Sequence, residues 1–402
     1  MPTRTRLAVA LASVLALGMA AGPAVAAASP AAAPPAARCD TTGPHHTALC
    51  EAISGLPNDD ATAALVRVGG AEGAWRGTAG VRDLRTNRPA LENGRFRAGS
   101  TTKVVTAAMV LQLAAEGRVD LDENVETYLP GLLPDAFTKP VTVRHLLTYS
   151  SGLKPGKGLG PVNGEGYDNR YVTLTPEEVV ASSVAQGPAF DPGDQQKYQN
   201  IDYTVLGLLI ERVTRDSYEH QAYVRVLKPV GMRDTSFPGG PDPRIHGPHN
   251  RGYQLLADGR LADATEWNMS DRWAVGDMIS TTEDLEKFLV ALFRAEVVPQ
   301  PLLKKEMLTV ADVPGAKMSA GLALEELPDG RKLWFKSGAR PGYSTAIGAT
   351  EDLCFTLVYS VNATDAKSEE VNPVTDRIVQ AALGYRDKKP SPPHPNCSSN
   401  GT

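Results

Sequence analysis

An α+β architecture is predicted for this chain, with an antiparallel sheet drawn from its two ends and a helical region inserted between them. Strand-type runs cluster near the start (64–68 and 74–83) and near the end (333–336, 343–349 and 355–361). Helix-period segments divided by Pro/Gly loops fill the middle, about 120–290. The third observation is bulk. Of 402 residues, 42% are hydrophobic and 22% charged, enough for a large core and too apolar for a disordered chain.

The elements follow in chain order. Arg4 and Arg6, an apolar run from Leu7 to about Ala21 and the small-residue exit Ala24-Val25-Ala26 read as an export signal over 1–26. Residues 27–50 are an Ala/Pro-rich linker and an N-terminus that carries Cys39 and Cys50. A single folded domain is expected over 51–385, and a Pro/Ser-rich tail over 386–402. An exported chain meets an oxidising compartment, so the four cysteines are expected in disulfides. Three pairings are open, and the sequence selects none of them. Cys39–Cys50 would close a short loop, and Cys354–Cys397 would then pin the tail. No later stretch approaches the roughly 18–20 apolar residues of a membrane span. A secreted, extracellular monomer without a membrane anchor is expected.

Strands at Ala64–Val68 and Ala74–Asp83 flank a Gly-rich turn. A helix begins near Thr102, where Val104, Ala107, Ala108, Leu111 and Ala115 recur at three and four as on an amphipathic face, and Gly117 supplies the stop. Further helices are expected at Val143–Leu147, Asp202–Val213 and Thr282–Phe293. Strands Leu333–Lys336, Tyr343–Ala349 and Phe355–Val361 come next, and a helix over Pro373–Leu383 ends the domain.

Chemistry enters with Ser100-Thr101-Thr102-Lys103, an SxxK at a helix start. Residues i and i+3 share a helix face, so the lysine nitrogen reaches the serine hydroxyl. Composition alone supplies such a motif about once per chain of this kind, and a second copy, Ser151-Gly152-Leu153-Lys154, is present. That copy contains Gly and runs into Pro155, which makes it a turn. Two more elements follow in order. Tyr198-Gln199-Asn200 stands between a Pro-Gly turn and a helix, whereas Tyr167-Asp168-Asn169 lies in a Gly-rich loop. Lys336-Ser337-Gly338 closes the predicted strand Leu333–Lys336.

With these three motifs in order, the chain resembles the serine penicillin-recognising enzymes: DD-peptidases, class C β-lactamases and related esterases. It is most similar to the soluble, secreted D-alanyl-D-alanine carboxypeptidases. The resemblance covers about residues 60–385. It includes Phe96-Arg97-Ala98-Gly99-Ser100, Tyr128-Leu129-Pro130-Gly131, Val143-Arg144-His145-Leu146-Leu147 and Ser280-Thr281-Thr282-Glu283-Asp284-Leu285. It implies a β-lactamase/DD-peptidase-like fold and a hydrolase that is acylated at Ser100 by a stem peptide of peptidoglycan or by a β-lactam. A class C-type β-lactamase, a related esterase and a penicillin-binding protein with negligible turnover share these motifs.

The resemblance also implies roles. Lys103 and Tyr198 would share the proton work, and Asn200 would orient Lys103 and the substrate amide. Lys336, Ser337 and Gly338 would meet the substrate carboxylate, with Arg340 as a further cation. Backbone N–H groups of Ser100 and Ala339 would form the oxyanion hole. Lys103 beside Lys336 is expected to lose its proton easily, through like charge and burial. The chain departs from the carboxypeptidases in having Lys336-Ser337-Gly338 where His-Thr-Gly is common. It also has Glu325 near a place where some have arginine; that glutamate is expected to repel the carboxylate or to pair with Lys336 or Arg340.

Other chemistries fit poorly. The formal charge of −5, from 41 basic and 46 acidic residues, excludes a nucleic-acid partner that relies on net basicity. No GxSxG elbow and no GxGxxG loop occur. His246 and His249 sit among Pro and Gly as a solvated loop, and His145 is a packed helix residue. No metal and no cofactor is expected.

Overall fold

The computed structural model describes residues 35–43, 45–71, 73–327 and 329–384. The expected export signal (1–26), most of the expected linker, the expected tail and Cys397 lie outside the described residues. The described residues form one compact unit. No described helix is long and apolar enough to cross a membrane.

Seven strands form the path of one antiparallel sheet: β1 (Arg38–Cys39), β2 (Ala61–Gly70), β3 (Trp75–Asp83), β4 (Ala323–Glu326), β5 (Lys332–Arg340), β6 (Tyr343–Thr350) and β7 (Phe355–Ala363). Their order is β1-β3-β2-β7-β6-β5-β4, with the short strand Arg88–Pro89 paired off β3. The two ends of the chain therefore meet at β2 and β7, where Leu65 faces Ser360 and Arg67 faces Val358. Every residue of β7 is buried, because both sheet faces are covered. Side chains alternate along a strand: Leu357, Tyr359 and Val361 enter one apolar layer, while Val358 enters the other.

The helices that matter for the site are α1 (Thr102–Ala115), α2 (Ile201–Thr214), α3 (Thr282–Phe293) and α4 (Pro373–Ala382). α3 contacts β2, β6 and β7, while α4 packs against β2, β7 and the N-terminal helix His46–Ala52. α3 starts where Thr281 Oγ1 accepts from Asp284 N, and α4 where Asn372 Oδ1 accepts from Val374 N.

Two expectations need correction. α1 is not amphipathic: Thr102 through Leu111 and Leu113 are all buried. Its run of Ala, Thr and Val is small enough for neighbours to close on every side, so it is a central helix. The strand expected to stop at Lys336 continues to Arg340, because β6 pairs with it residue by residue as far as Tyr343 opposite Arg340. Lys336-Ser337-Gly338 thus lies inside a strand. Cys39 and Cys50 are bonded, with Cα atoms 5.9 Å apart. Cys354 is also disulfide-bonded, and no described cysteine is free.

Candidate active site

Gly99, Ser100 and Thr101 form a single tight turn that runs straight into α1. Gly99 has φ +55°, and a Cβ there would stand 2.6 Å from Ala339 N. A Cβ on Gly338 would stand 2.1 Å from Ala98 O and 2.9 Å from Ser100 N. Two glycines therefore let the serine turn and strand β5 touch backbone to backbone. Thr345 Oγ1, on β6, donates to Ala98 O at 2.8 Å and fastens the turn from the far side. This closeness brings the N–H groups of Ser100 and Ala339 to one place. Ser100, Tyr149, Tyr198, Lys336, Ser337, Gly338 and Ala339 line one cavity of about 480 Å³.

Lys103, one helical turn beyond Ser100, is fully buried. Its Nζ donates to Ser100 Oγ at 3.3 Å, to Asn200 Oδ1 at 2.8 Å and to Val275 O at 2.8 Å. Desolvation holds its pKa well below the ordinary lysine value, and the charges of Lys336, Lys367 and Arg272 press in the same direction. Asn200 occupies the N-cap position of α2 without capping it; its amide oxygen serves Lys103 instead.

The ring of Tyr198 has Lys103 Nζ 5.1 Å and Lys336 Nζ 4.8 Å from its centroid, an arrangement in which the π face offsets some like-charge repulsion. Desolvation pushes the phenol up to about 12, while contact with Ser100 pulls it back. Tyr149 stacks on Tyr198 at 4.8 Å and on Tyr203 at 5.1 Å. It holds a left-handed φ of 59°, the kind of backbone strain found where a side chain must be aimed. Lys336 is buried, donates to Ser337 O at 2.9 Å, and is lowered to about 8 by desolvation.

The structure brings together Ser100, Lys103, Tyr198, Asn200, Lys336, Ser337, Gly338 and Ala339. Arg340 and Glu325 behave otherwise. Arg340 is 2% exposed, and its Nη2 pairs with Asp271 at 3.6 Å, so it is not free to meet a substrate carboxylate. Glu325 lies opposite Leu333 on β4. It is exposed, does not line the cavity, and pairs with neither Lys336 nor Arg340 among the described residues.

The competing motifs are structural. Ser151 Oγ donates to the buried carboxylate of Asp202 and accepts from Leu153 N at 3.0 Å. Lys154 turns away to Gln186 O at 2.9 Å. His145 Nδ1 accepts from Thr142 N at 3.1 Å, half of a capping box. His246 is exposed against Asp242. Among the described residues no cluster is arranged to hold a metal ion. Sequence reasoning missed Tyr149, Val275 O, Arg272 and Lys367, none of which belongs to a motif. The Tyr149-Ser150-Ser151-Gly152 turn was the one signal available.

The chain is similar to a solved D-stereospecific amidohydrolase from Streptomyces sp., with a TM-score of 0.74 and 29% identity over 85% of this chain and 100% of that one. Among curated proteins it is 33% identical to esterase EstB of Burkholderia gladioli over 44% of this chain and 47% of that protein. It is 26% identical to the putative penicillin-binding protein PbpX of Bacillus subtilis (strain 168), over 62% of this chain and 57% of that protein. The chain spans about half or less of the length of the curated relatives it matches. The family model described as Beta-lactamase matches residues 58–381, a stretch that holds the whole sheet core from β2 to β7 and every side chain around Ser100. The chain belongs to the Beta-lactamase family of serine hydrolases and penicillin-binding proteins.

Proposed function

We propose that this protein is an exported serine hydrolase that forms an acyl-enzyme at Ser100, acts as a D-alanyl-D-alanine carboxypeptidase on peptidoglycan stem peptides, and is acylated by penicillin at the same serine. The observation that carries the reading is Lys103, a buried amine that donates to Ser100 Oγ and holds its proton weakly among other cations. The two shifts divide the labour. In its unprotonated form, which burial and the neighbouring cations favour, Lys103 takes the proton of Ser100 as Oγ bonds to the carbonyl carbon. The oxygen then gains negative charge between the N–H groups of Ser100 and Ala339. When the C–N bond breaks, the leaving nitrogen needs a proton, and Tyr198, a neutral phenol beside Ser100, is the group placed to pass it on. That proton comes from Lys103, which is thereby free again; water then attacks the acyl carbon, Lys103 accepts the water's proton, and it returns a proton to Ser100 Oγ as the C–Oγ bond breaks.

Disulfide bonding of Cys39, Cys50 and Cys354 supports export. A second reading, hydrolysis of D-amino-acid amides, is favoured by the similarity to the D-stereospecific amidohydrolase over its whole length. The test sets kcat/KM for an N-acyl-D-Ala-D-Ala peptide beside that for a D-amino-acid amide, with penicillin labelling in parallel. Release of D-alanine as the faster reaction supports the carboxypeptidase. Faster turnover of the amide replaces it with the second reading.

A further inference from the structure

Five cations surround Ser100, and most of them are already committed. Lys103 has three oxygen partners. Arg340 and Arg272 both pair with Asp271, at 3.6 and 3.3 Å. Lys336 is folded against its own strand through Ser337 O. The fifth, Lys367, lies outside every motif, in the segment 364–372 between β7 and α4. It lines the same cavity as Ser100, and its ammonium makes no hydrogen bond or ion pair among the described residues.

The segment that carries it is held at both ends. Thr364 N donates to Asp60 O at 3.0 Å, and Asn372 Nδ2 donates to the same carbonyl at 3.0 Å. The strap is thus closed over one backbone oxygen and presents its crest to the cavity mouth. Three carboxylates, Asp365, Glu369 and Glu370, share the strap. Asp365 accepts from Gln254 at 3.1 Å, and Glu370 forms no ion pair with Lys367 among the described residues. Lys367 is exposed at the cavity, and besides desolvation the charges of Arg340, Arg272 and Lys336 press on its proton while Asp271 opposes them. A carboxylate bound at the Lys367 ammonium would offset the repulsion from those three cations.

We propose that Lys367 is the specificity-determining residue that receives the carboxylate of the substrate, with Lys336 on the facing strand as its second cation. The substrate class is an acylated peptide whose leaving residue ends in a free carboxylate, or a β-lactam with a carboxylate on its ring. The assignment rests on the acyl-enzyme reading of Ser100 and gives the carboxylate role, expected at Arg340, to a residue of the strap. Lys367 makes and breaks no bond, so its loss acts on carboxylate recognition through KM, while its smaller effect on Lys103 falls equally on every substrate and cancels in a ratio of two substrates.

Lys367→Met and Lys367→Arg test it on two matched pairs. The first is an N-acyl-D-Ala-D-Ala peptide and its C-terminal carboxamide; the second is benzylpenicillin and a neutral p-nitrophenyl ester. A charge-assisted hydrogen bond at this site corresponds to about a 10- to 100-fold effect. Lys367→Met is expected to lose that much kcat/KM on the carboxylate member of each pair, through KM or its acylation equivalent. Any loss shared by both members reports Lys103, so the carboxylate-to-neutral ratio is what should fall by that factor, and Lys367→Arg should restore it. A carboxylate-to-neutral ratio that Lys367→Met leaves unchanged in both pairs overturns the assignment. If neither peptide is cut but penicillin acylation drops in Lys367→Met alone, the carboxypeptidase reading fails and Lys367 stands. If the wild-type enzyme prefers the carboxylate peptide and Lys367→Met keeps that preference, Lys367 fails and the carboxypeptidase stands.

Discussion

Lys336→Met should make the protein more stable while damaging its chemistry. The ammonium of Lys336 is 9% exposed and is held about 8 against an ordinary 10.5, by desolvation alone. That fall corresponds to about 3 kcal/mol against the charged form in the folded state. Methionine has similar length and no charge to desolvate. At pH 7, below the folded pKa, the whole penalty is present, so Lys336→Met should gain up to about 3 kcal/mol in urea unfolding, at unchanged m-value. The sign of the pH dependence follows from linkage. Between about pH 8 and 10.5 the unfolded chain binds more protons at this lysine than the folded one, so wild-type stability rises across that window. The variant lacks that rise, and the gap between the two proteins should close by about pH 10.5; using the difference cancels every other titrating group. A second readout is catalytic. Without Lys336, one of the charges that lower Lys103 is gone, so the acidic limb of the acylation profile should move to higher pH. A variant less stable than wild type at pH 7, or a stability gap that does not narrow with pH, refutes the reasoning.

Three further outcomes can be checked together. Tyr198→Phe should lower the acylation rate by about 10²–10⁴ with the circular dichroism unchanged; near-normal acylation would make Tyr198 a packing residue. Gly338→Ala drives a Cβ to 2.1 Å from Ala98 O, so it should cost about 1–3 kcal/mol in thermal or urea unfolding and abolish acylation by parting β5 from the Ser100 turn. A soluble, normally acylating Gly338→Ala would show that the two backbones do not need this contact. Glu325→Arg should change the carboxylate-to-ester preference by less than about twofold, because Glu325 is solvent-exposed and faces Leu333 at the outer strand; a large gain on carboxylate substrates would place it in the site.

What the sequence revealed was local. A serine and lysine one turn apart, a tyrosine and asparagine before a helix, and strand alternation near both ends are each written within a few residues. They survive folding because the helix and strand periods fix which side chains share a face. α1 misled because its small residues, such as Thr106, Ala107 and Ala108, do not mark a polar face. Packing on all sides is decided by neighbours far away in sequence. The strand through Lys336 looked shorter than it is because Lys336, Ser337 and Gly338 are poor strand formers, and pairing with β6 overrides that preference. Glu325 was misjudged through register: the pairing puts Leu333 opposite it and leaves the cavity to Ala323. Val275 O and Lys367 reach the site on loops and Arg272 from the end of a short 3-10 helix, all far from Ser100 in the chain, and no spacing rule encodes such convergence.

The central claim is that Ser100, activated by Lys103, is the residue that becomes acylated. Intact-protein and peptide mass spectrometry after incubation with benzylpenicillin tests it most directly, on wild type, Ser100→Ala and Ser151→Ala. One penicilloyl adduct on the peptide carrying Ser100 is expected in wild type and Ser151→Ala, and none in Ser100→Ala. An adduct that persists in Ser100→Ala, or that maps to Ser151, would contradict it.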